Sequence, residues 1–251
     1  MKFALVGYGK MGRQIAALAL GRGHTVVSID PVAVDSEFKE ISATALNGVD
    51  ACIDFSHPSQ AVSNLTLAAE LGCNVVMGTT AWYQNMDEVR KIVAKTQIGF
   101  IYATNFSIGV NLFYRIVEAS AKLMDGFEEF DVAGFELHHR KKADSPSGTA
   151  RTLSEILLAN IQRKQTLLYG IADHPLEPQQ LHFASARCGH IPGTHEVIFD
   201  SEADTISLKH TARNRQGFAS GAITAAEWIV GKSGFFTINH LLEELISNKR
   251  K

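Results

Sequence analysis

The chain has 251 residues, of which 45% are hydrophobic and 20% are charged, and its formal net charge is −2. This composition excludes a disordered chain, and the net charge provides no field that would attract nucleic acid or an anionic membrane. No apolar run approaches the roughly 18 residues of a membrane span, and the first residues lack the apolar core of a signal peptide. We therefore expect a globular, cytoplasmic protein with neither a nucleic-acid nor a membrane partner.

The three cysteines are far apart in the sequence, and none belongs to a CxxC pair. An odd number of scattered cysteines does not fit a disulfide framework. No group of Asp, His and Cys residues has the spacing of a metal site. We therefore expect reduced thiols and no bound metal.

Short apolar runs alternate with helical patterns in the first half of the chain. The runs are continuous and rich in β-branched residues, as at Val75-Val76, which is typical of strands covered on both faces of a parallel sheet. Repeated strand–helix units predict a Rossmann-like, doubly wound α/β domain. Its predicted strands cover residues 2–7, 24–30, 50–55, 74–78 and 98–104, and its predicted helices cover 11–21, 58–71 and 86–95, with Ser56 as a cap of the second helix.

The second half has a different order of elements. Strands that follow one another without intervening helices predict an open mixed or antiparallel sheet, and hence an α+β domain. We place the domain boundary near residues 105–107 and expect the late helix to be able to pack back onto the first domain. The predicted elements are helix 109–124, strand 130–138, helix 148–161, strands 181–186, 195–200 and 205–211, helix 219–230 and a short apolar segment, 235–245.

The first predicted strand runs directly into a GxGxxG sequence that opens a helix. Such glycines permit a tight turn and a close approach of the backbone to a pyrophosphate, which the helix N-terminus stabilises. An acid at the end of the second strand can accept a hydrogen bond from a ribose hydroxyl. The alternative is a glycine turn that only packs a helix on a strand. The pattern favours a dinucleotide site formed by Gly7, Tyr8, Gly9, Lys10, Met11, Gly12 and Asp30.

Two further loops follow predicted strands of the same sheet. Ligands of open parallel sheets lie beyond the carboxyl ends of the strands, so these loops can face a nicotinamide. The alternative, ordinary turn chemistry of Gly, Thr and Asn, has equal weight from spacing alone. The residues concerned are Gly78, Thr79 and Thr80 in one loop, and Ala103, Thr104, Asn105 and Phe106 in the other.

The segment 136–150 combines a strand end, two histidines and three cations with a polar turn that opens a helix. The unpaired amides of such a helix start form a site for a carboxylate. His138 can exchange a proton near neutral pH, and a crowded Lys142 can act as an acid. The alternatives are a solvated basic loop and a nonspecific phosphate patch. A metal site is a weaker alternative, because adjacent histidines on a strand point to opposite faces.

The same segment resembles the signature E-x-H-H-x-x-K-x-D-x-P-S-G-T-A of the dihydrodipicolinate reductase (4-hydroxy-tetrahydrodipicolinate reductase) family, and every fixed position is present. The resemblance spans nearly the whole chain in the family's order. It includes Met11-Gly12 in the glycine loop and the runs 78–80, 105–111, 187–189, 193–197 and 215–222.

The resemblance implies an enzyme of lysine biosynthesis that uses NADH or NADPH. The implied reaction reduces a small heterocyclic dicarboxylate, 4-hydroxy-tetrahydrodipicolinate or dihydrodipicolinate, to tetrahydrodipicolinate. Residues 1–107 and 214–251 would form the dinucleotide-binding domain. Residues 108–213 would form the substrate-binding and oligomerisation domain, through whose sheet a homotetramer assembles.

The resemblance also implies roles for individual residues. His138 would be the proton donor or acceptor of the active site, and Lys142 would donate the proton to the ring product. The substrate would be held by His139, by the helix start at Ser147, Gly148 and Thr149, and by Arg215 through a carboxylate. The glycine loop, Asp30 and the loops 78–80 and 103–106 would line the cofactor site.

One departure from the family bears on the cofactor. Pro31 follows Asp30, at a position where members that accept a 2′-phosphate often carry arginine. An acid without that arginine favours NADH on electrostatic grounds. Two alternative functions are another two-domain nicotinamide oxidoreductase, acting on amino acids or sugars, and a dinucleotide sensor that binds cofactor without turnover.

Overall fold

Strands and helices alternate through the first hundred residues of the computed structural model, which describes residues 1–248. Short 3-10 turns at Pro58–Gln60 and Tyr83–Asn85 precede the second and third helices. In chain order the elements are β1 Lys2–Val6, α1 Lys10–Gly21, β2 Thr25–Ile29, β3 Ala51–Asp54, α2 Ala61–Glu70, β4 Asn74–Met77, α3 Met86–Thr96, β5 Gly99–Tyr102, α4 Ile108–Met124, β6 Asp131–His138, α5 Gly148–Asn160, β7 Thr166–Tyr169, β8 Gln180–Arg187, β9 Thr194–Asp200, β10 Thr205–Thr211, α6 Gln216–Ile229, β11 Gly234–Thr237 and α7 Ile238–Asn248.

The chain folds into two units. The first contains Met1–Ile108 and the chain from Gln216 onward, and the second contains Gly109–Arg215. Among residues 1–248, no helix is both long enough and apolar enough to cross a bilayer.

The first unit is built on a six-stranded parallel sheet in the order β11-β5-β4-β3-β1-β2. Successive side chains of β1 enter two different cores. Phe3 and Leu5 pack with residues of α1, α6 and α7, whereas Ala4 and Val6 pack with residues of α2 and α3. Helices therefore cover both faces of the sheet, which confirms the predicted Rossmann-like, doubly wound fold. The late helix α6 is one of the helices that pack on this sheet.

One strand of this unit was not predicted, and one local prediction is wrong. The apolar segment 235–245 contains the strand β11, which pairs in parallel with β5 before α7 begins. The strand has only four residues between Ser233 and the start of α7, which is too few for an alternating pattern to be recognised. Ser56 is not a helix cap, because its hydroxyl donates to Asp54 Oδ1, and the side chain of His57 caps the short turn before α2 instead.

The second unit is a five-stranded mixed sheet in the order β10-β9-β6-β8-β7. The strand β6 is parallel to β8 and antiparallel to β9, which confirms the predicted open mixed sheet. Its core joins residues of α4 and α5 to the sheet, for example Phe113, Leu153 and Phe183. The edge strand β7 was not predicted, because Thr166 is exposed, the other three residues are only half-buried, and the strand has no alternating pattern.

Candidate active site

The loop between β1 and α1 has the backbone that its glycines predict. Gly7 has a positive φ of 90°, and a Cβ atom on Gly12 would lie 2.1 Å from the carbonyl oxygen of Gly7. Gly9 is the N-cap of α1, no side chain caps it, and the first turn carries no acidic residue. First-turn amides have no intrahelical partner, so this helix start can accept an anionic pyrophosphate. Lys10 is exposed beside it, whereas Tyr8 and Met11 are half-buried.

Asp30 connects this loop to the turn that follows β2. Its Oδ2 accepts a hydrogen bond of 2.7 Å from the amide of Tyr8, and its Oδ1 accepts from the amides of Val32 and Ala33. Burial would raise the pKa of Asp30, but these backbone hydrogen bonds outweigh it and lower the pKa. A carboxylate can accept about four hydrogen bonds, so the three observed leave capacity for a ribose hydroxyl.

Arg13 is a cation at this edge that the sequence analysis did not single out. Its guanidinium forms a two-pronged ion pair with Asp35, with distances of 2.5 and 2.6 Å, and lies 4.6 Å from the centroid of the Tyr8 ring. Arg13 directly follows the GxGxxG sequence, and its position in the first turns of α1 was the available signal.

The loops 78–80 and 103–106 follow β4 and β5, so they lie at the carboxyl edge that also carries Gly7 and Asp30. Each loop contains buried residues that are part of the fold and more exposed residues that a ligand could contact. Thr79 is buried and its hydroxyl donates to Asp54 Oδ1 over 2.6 Å, and Phe106 belongs to the hydrophobic core. Ala103 is also buried and a Cβ on Gly78 would meet the ring of Phe55, whereas Thr80 and Thr104 are exposed and Asn105 is half-buried.

In the second unit, Ser147 begins α5 as its N-cap. Its hydroxyl accepts from the amide of Ala150, and its own amide donates to Glu136 Oε1 over 3.0 Å. Ser147 is therefore a buried structural cap. Gly148 is exposed, with nothing within 4 Å of the place where a Cβ would stand. Thr149 is half-buried and shares a side-chain hydrogen bond with Tyr114. The open part of this helix start is at Gly148 and Thr149.

Several cationic or ionisable groups lie in or near the turn that precedes this helix start. Lys142 Nζ lies 2.7 Å from Asp144 Oδ1 in the turn after β6. Partial burial lowers the pKa of His139, and the positive charges of His138, Lys142 and Arg215 lower it further. The side chains predicted to hold a dicarboxylate, His139 and Arg215, are thus within electrostatic reach of each other and of Lys142.

Glu136 is the main residue of this site to which the sequence analysis assigned no role. Its side chain is fully buried, and Oε1 accepts hydrogen bonds from the amide of Ser147 and the hydroxyl of Ser185. Burial would raise the pKa of Glu136, but the nearby imidazoles of His138 and His195, followed by Ser147, lower it far below its ordinary value. The sequence did contain a signal for Glu136, because Glu136 and His138 are two residues apart on a predicted strand and such residues share a face.

His138 is almost fully buried next to Glu136. Its Nδ1 lies 3.2 Å from the carbonyl oxygen of Pro192, and its Nε2 lies 3.3 Å from Nε2 of His195. Both ring nitrogens therefore face protein atoms. His195 lies in a matched run of the sequence, but nothing in the sequence indicates that β9 brings it to β6.

A parallel sheet with a glycine loop and an acid at the end of β2, joined to a separate mixed-sheet unit with a cationic turn, defines a two-domain dinucleotide-binding oxidoreductase. The family model described as dihydrodipicolinate reductase, N-terminus, matches residues 1–106, and the one described as dihydrodipicolinate reductase, C-terminus, matches residues 109–242. The chain belongs to the dihydrodipicolinate reductase family.

Individual relatives agree with this assignment. A 4-hydroxy-tetrahydrodipicolinate reductase of Christiangramia forsetii is 37% identical over 99% of this chain and 100% of its own length. One from Neisseria meningitidis serogroup C is 33% identical over 90% of this chain and 83% of its own length. The dipicolinate-bound dihydrodipicolinate reductase of Paenisporosarcina sp. TG-14 has a TM-score of 0.77 at 21% identity, covers 94% of this chain and 97% of its own, and shows the same fold.

Proposed function

We propose that this chain reduces 4-hydroxy-tetrahydrodipicolinate, or the dihydrodipicolinate formed from it, to tetrahydrodipicolinate in lysine biosynthesis. The observation that carries the proposal is the cationic turn after β6, which leads directly into the open helix start at Gly148 and Thr149 in a chain that also has a dinucleotide loop. Two substrate carboxylates require such positive groups and free amides. The dipicolinate bound to the Paenisporosarcina relative is a dicarboxylate of the same kind.

The proposed reaction needs a hydride and a proton, and one molecule of water leaves when the 4-hydroxy compound is the starting material. The reduced nicotinamide, when bound, supplies the hydride. Lys142 gives a proton to the ring, and His138 holds an exchangeable proton in the same site. His139, Arg215 and the amides of Gly148 and Thr149 bind the carboxylates. The charges of Lys142 and Arg215, together with the dipoles of these amides, also draw electron density away from the carbon that accepts the hydride.

We propose NADH as the preferred cofactor, with NADPH accepted more weakly. The ionised Asp30 favours a ribose hydroxyl and repels a 2′-phosphate. Two nearby cations are already engaged, Arg13 with Asp35 and Lys39 with the carbonyl oxygen of Ala33. The first unit supplies the remaining contacts through its glycine loop, Thr80, Thr104 and Asn105.

We further propose that the protein is a cytoplasmic homotetramer assembled through the sheet of the second unit. The proposal follows from the family, whose resemblance runs through the whole of that unit. Light scattering coupled to gel filtration measures the mass directly. A mass near four times 27.4 kDa supports the tetramer, and a monomer mass at assay concentration refutes it.

A coupled assay tests the function. Pyruvate, aspartate semialdehyde and the upstream synthase generate the substrate in place, and nicotinamide absorbance is followed with NADH and with NADPH. Loss of absorbance that depends on both proteins establishes the reductase, and the two rates give the cofactor preference. Cofactor binding without turnover would support a dinucleotide sensor instead, and turnover of an amino acid or sugar would indicate another oxidoreductase.

A further inference from the structure

The buried carboxylate of Glu136 lies between the imidazole rings of His138 and His195. We propose that Glu136 and His195 are positioning residues that fix the ring of His138. Together they keep one additional proton on the pair of His138 and His195, so that the two imidazoles carry one more proton than two neutral rings would. The inference rests on the proposed function, in which His138 holds an exchangeable proton during the reduction.

The orientation of His138 is determined by its surroundings. The Pro192 carbonyl oxygen, 3.2 Å from Nδ1, can only accept a hydrogen bond, so Nδ1 carries a hydrogen. The ring also lies against Gly193, where a Cβ atom would be 2.8 Å from Cε1 of His138. With Nδ1 assigned and the ring fixed, Nε2 is the nitrogen at which the protonation of His138 varies.

The Nε2 atoms of His138 and His195 lie 3.3 Å apart. Two bare lone pairs at this distance repel each other, whereas one proton between them makes a hydrogen bond. Glu136 Oε2 lies 3.3 Å from the first Nε2 and 3.4 Å from the second. Within residues 1–248 this oxygen accepts no hydrogen bond of ordinary geometry. A buried, ionised oxygen without another donor stabilises a proton on the two nitrogens that face it.

Other charges around the pair oppose a second extra proton. Burial lowers the pKa of His195, and the charges of His138 and Lys142 act in the same direction. Arg187 from β8 contacts Oε1 of Glu136, and His210 of β10 stands opposite His195. The turn after β6 adds His139, Arg140, Lys141 and Asp144, and Arg215 is within electrostatic reach of His139. Ser147 Oγ, 3.1 Å from Nε2 of His195, can donate to that nitrogen when it is bare.

The consequence is an imidazolium held in a fixed position beside the carboxylate of Glu136 in the substrate unit. Because Glu136 is ionised, the group of one carboxylate and two imidazoles with one extra proton is neutral overall, which reduces the cost of burying it. We expect the two rings to gain and lose this proton together.

The decisive variant is Glu136→Gln, which keeps the size of the side chain and one acceptor oxygen but removes its charge. We expect kcat to fall at least about tenfold while the substrate KM changes less than about threefold. The basic limb of the kcat–pH profile should move to lower pH by about one unit or more, because loss of a nearby opposite charge disfavours the protonated pair. His182→Gln, at a half-buried histidine of β8 outside this group, should leave the profile unchanged. An unmoved limb in Glu136→Gln overturns the proposal.

Nitrogen-15 NMR of histidine-labelled protein tests the pair independently of turnover. In the wild type we expect two rings that titrate together, with one Nδ1 hydrogen-bonded throughout. In His195→Gln the remaining ring of His138 should titrate as a single group. Two rings that titrate independently in the wild type, or a stoichiometric metal ion bound to the purified protein, would overturn proton sharing.

Circular dichroism and the NADH Kd check folding of both variants. If Glu136→Gln does not fold, the NMR titration of the wild type still tests whether His138 and His195 share a proton. Absence of turnover in the wild type would refute the proposed function, whereas NMR would still report on the pair.

Discussion

The carboxylate of Asp30 accepts a hydrogen bond from the amide of Tyr8, with 2.7 Å between Oδ2 and the nitrogen. This contact ties the end of β2 to the glycine loop, so one side chain both shapes the loop and presents a charge to the ribose. A substitution that removes the whole carboxylate would therefore mix two effects. Asp30→Asn keeps one oxygen for the backbone amides and removes the charge.

We expect Asp30→Asn to weaken NADH binding about tenfold, because a hydrogen bond to a charged acceptor is lost. NADPH binding should weaken less or improve, because repulsion of the 2′-phosphate is relieved. Asp30→Ala should also weaken the binding of NADH more than the binding of NADPH. The affinity for both cofactors should fall further in this variant, because the glycine loop loses its hydrogen bond to Asp30. Fluorescence titration with each cofactor measures the two constants, and Asp87→Asn, at an exposed position of α3, is the control. Equal losses for NADH and NADPH in Asp30→Asn would rule out the ribose contact.

Gly12 provides a second test of the cofactor loop. A Cβ atom at this position would lie 2.1 Å from the backbone carbonyl oxygen of Gly7, which cannot move without distorting the turn. We expect Gly12→Ala to weaken NADH binding at least about tenfold and to lower the melting temperature. Gly21→Ala, in the same helix with open space around the added methyl group, should bind NADH normally and gain up to about 1 kcal/mol of stability. Normal NADH affinity in Gly12→Ala would contradict this account of the loop.

The fold was largely predictable because hydrophobic period and glycine position are local properties. The five strands from β1 to β5 and the helices between them each show their pattern within a dozen residues. The strand β11 escaped because it has only four residues, and its role depends on the edge of β5, which is remote in sequence. The edge strand β7 escaped because half-buried residues carry no strict alternation.

The site was only partly predictable, for the same reason. His138 and Lys142 could be named from the motif, since the motif is one continuous segment. The contact of Glu136 with His195 joins residues 59 positions apart and depends on the antiparallel register of β6 with β9. Ser147 and Thr79 also have roles in the fold that the sequence did not indicate, because Ser147 caps a helix and Thr79 hydrogen-bonds a buried aspartate.

Lys142 can be tested against its neighbour in the chain. Lys142 is half-buried and paired with Asp144, whereas Lys141 is exposed in the same turn. We expect Lys142→Ala to lower kcat by about a hundredfold or more, since proton transfer by a placed side chain contributes about that much. Lys141→Ala should retain most of the activity, because it removes the same charge from the loop without removing the donor. Steady-state kinetics in the coupled assay compare the two, and similar losses in both would indicate a general electrostatic role for the turn.

The depressed pKa of Glu136 predicts how stability depends on pH. Native Glu136 stays ionised to lower pH than a glutamate of the unfolded chain, whose ordinary pKa is 4.5. Below that value the unfolded chain binds more protons than the native one, so acid removes the stabilisation that ionised Glu136 provides. The wild-type melting temperature should therefore fall as pH is lowered below about 5, a range in which the histidines of the unfolded chain are already protonated. In Glu136→Gln the midpoint should be lower at neutral pH and should fall less steeply over the same acid range. Calorimetry at a series of pH values measures both slopes, with Glu128→Gln, an exposed acid of the same unit, expected to follow the wild type. Parallel slopes for the wild type and Glu136→Gln would show that the buried carboxylate does not titrate with unfolding.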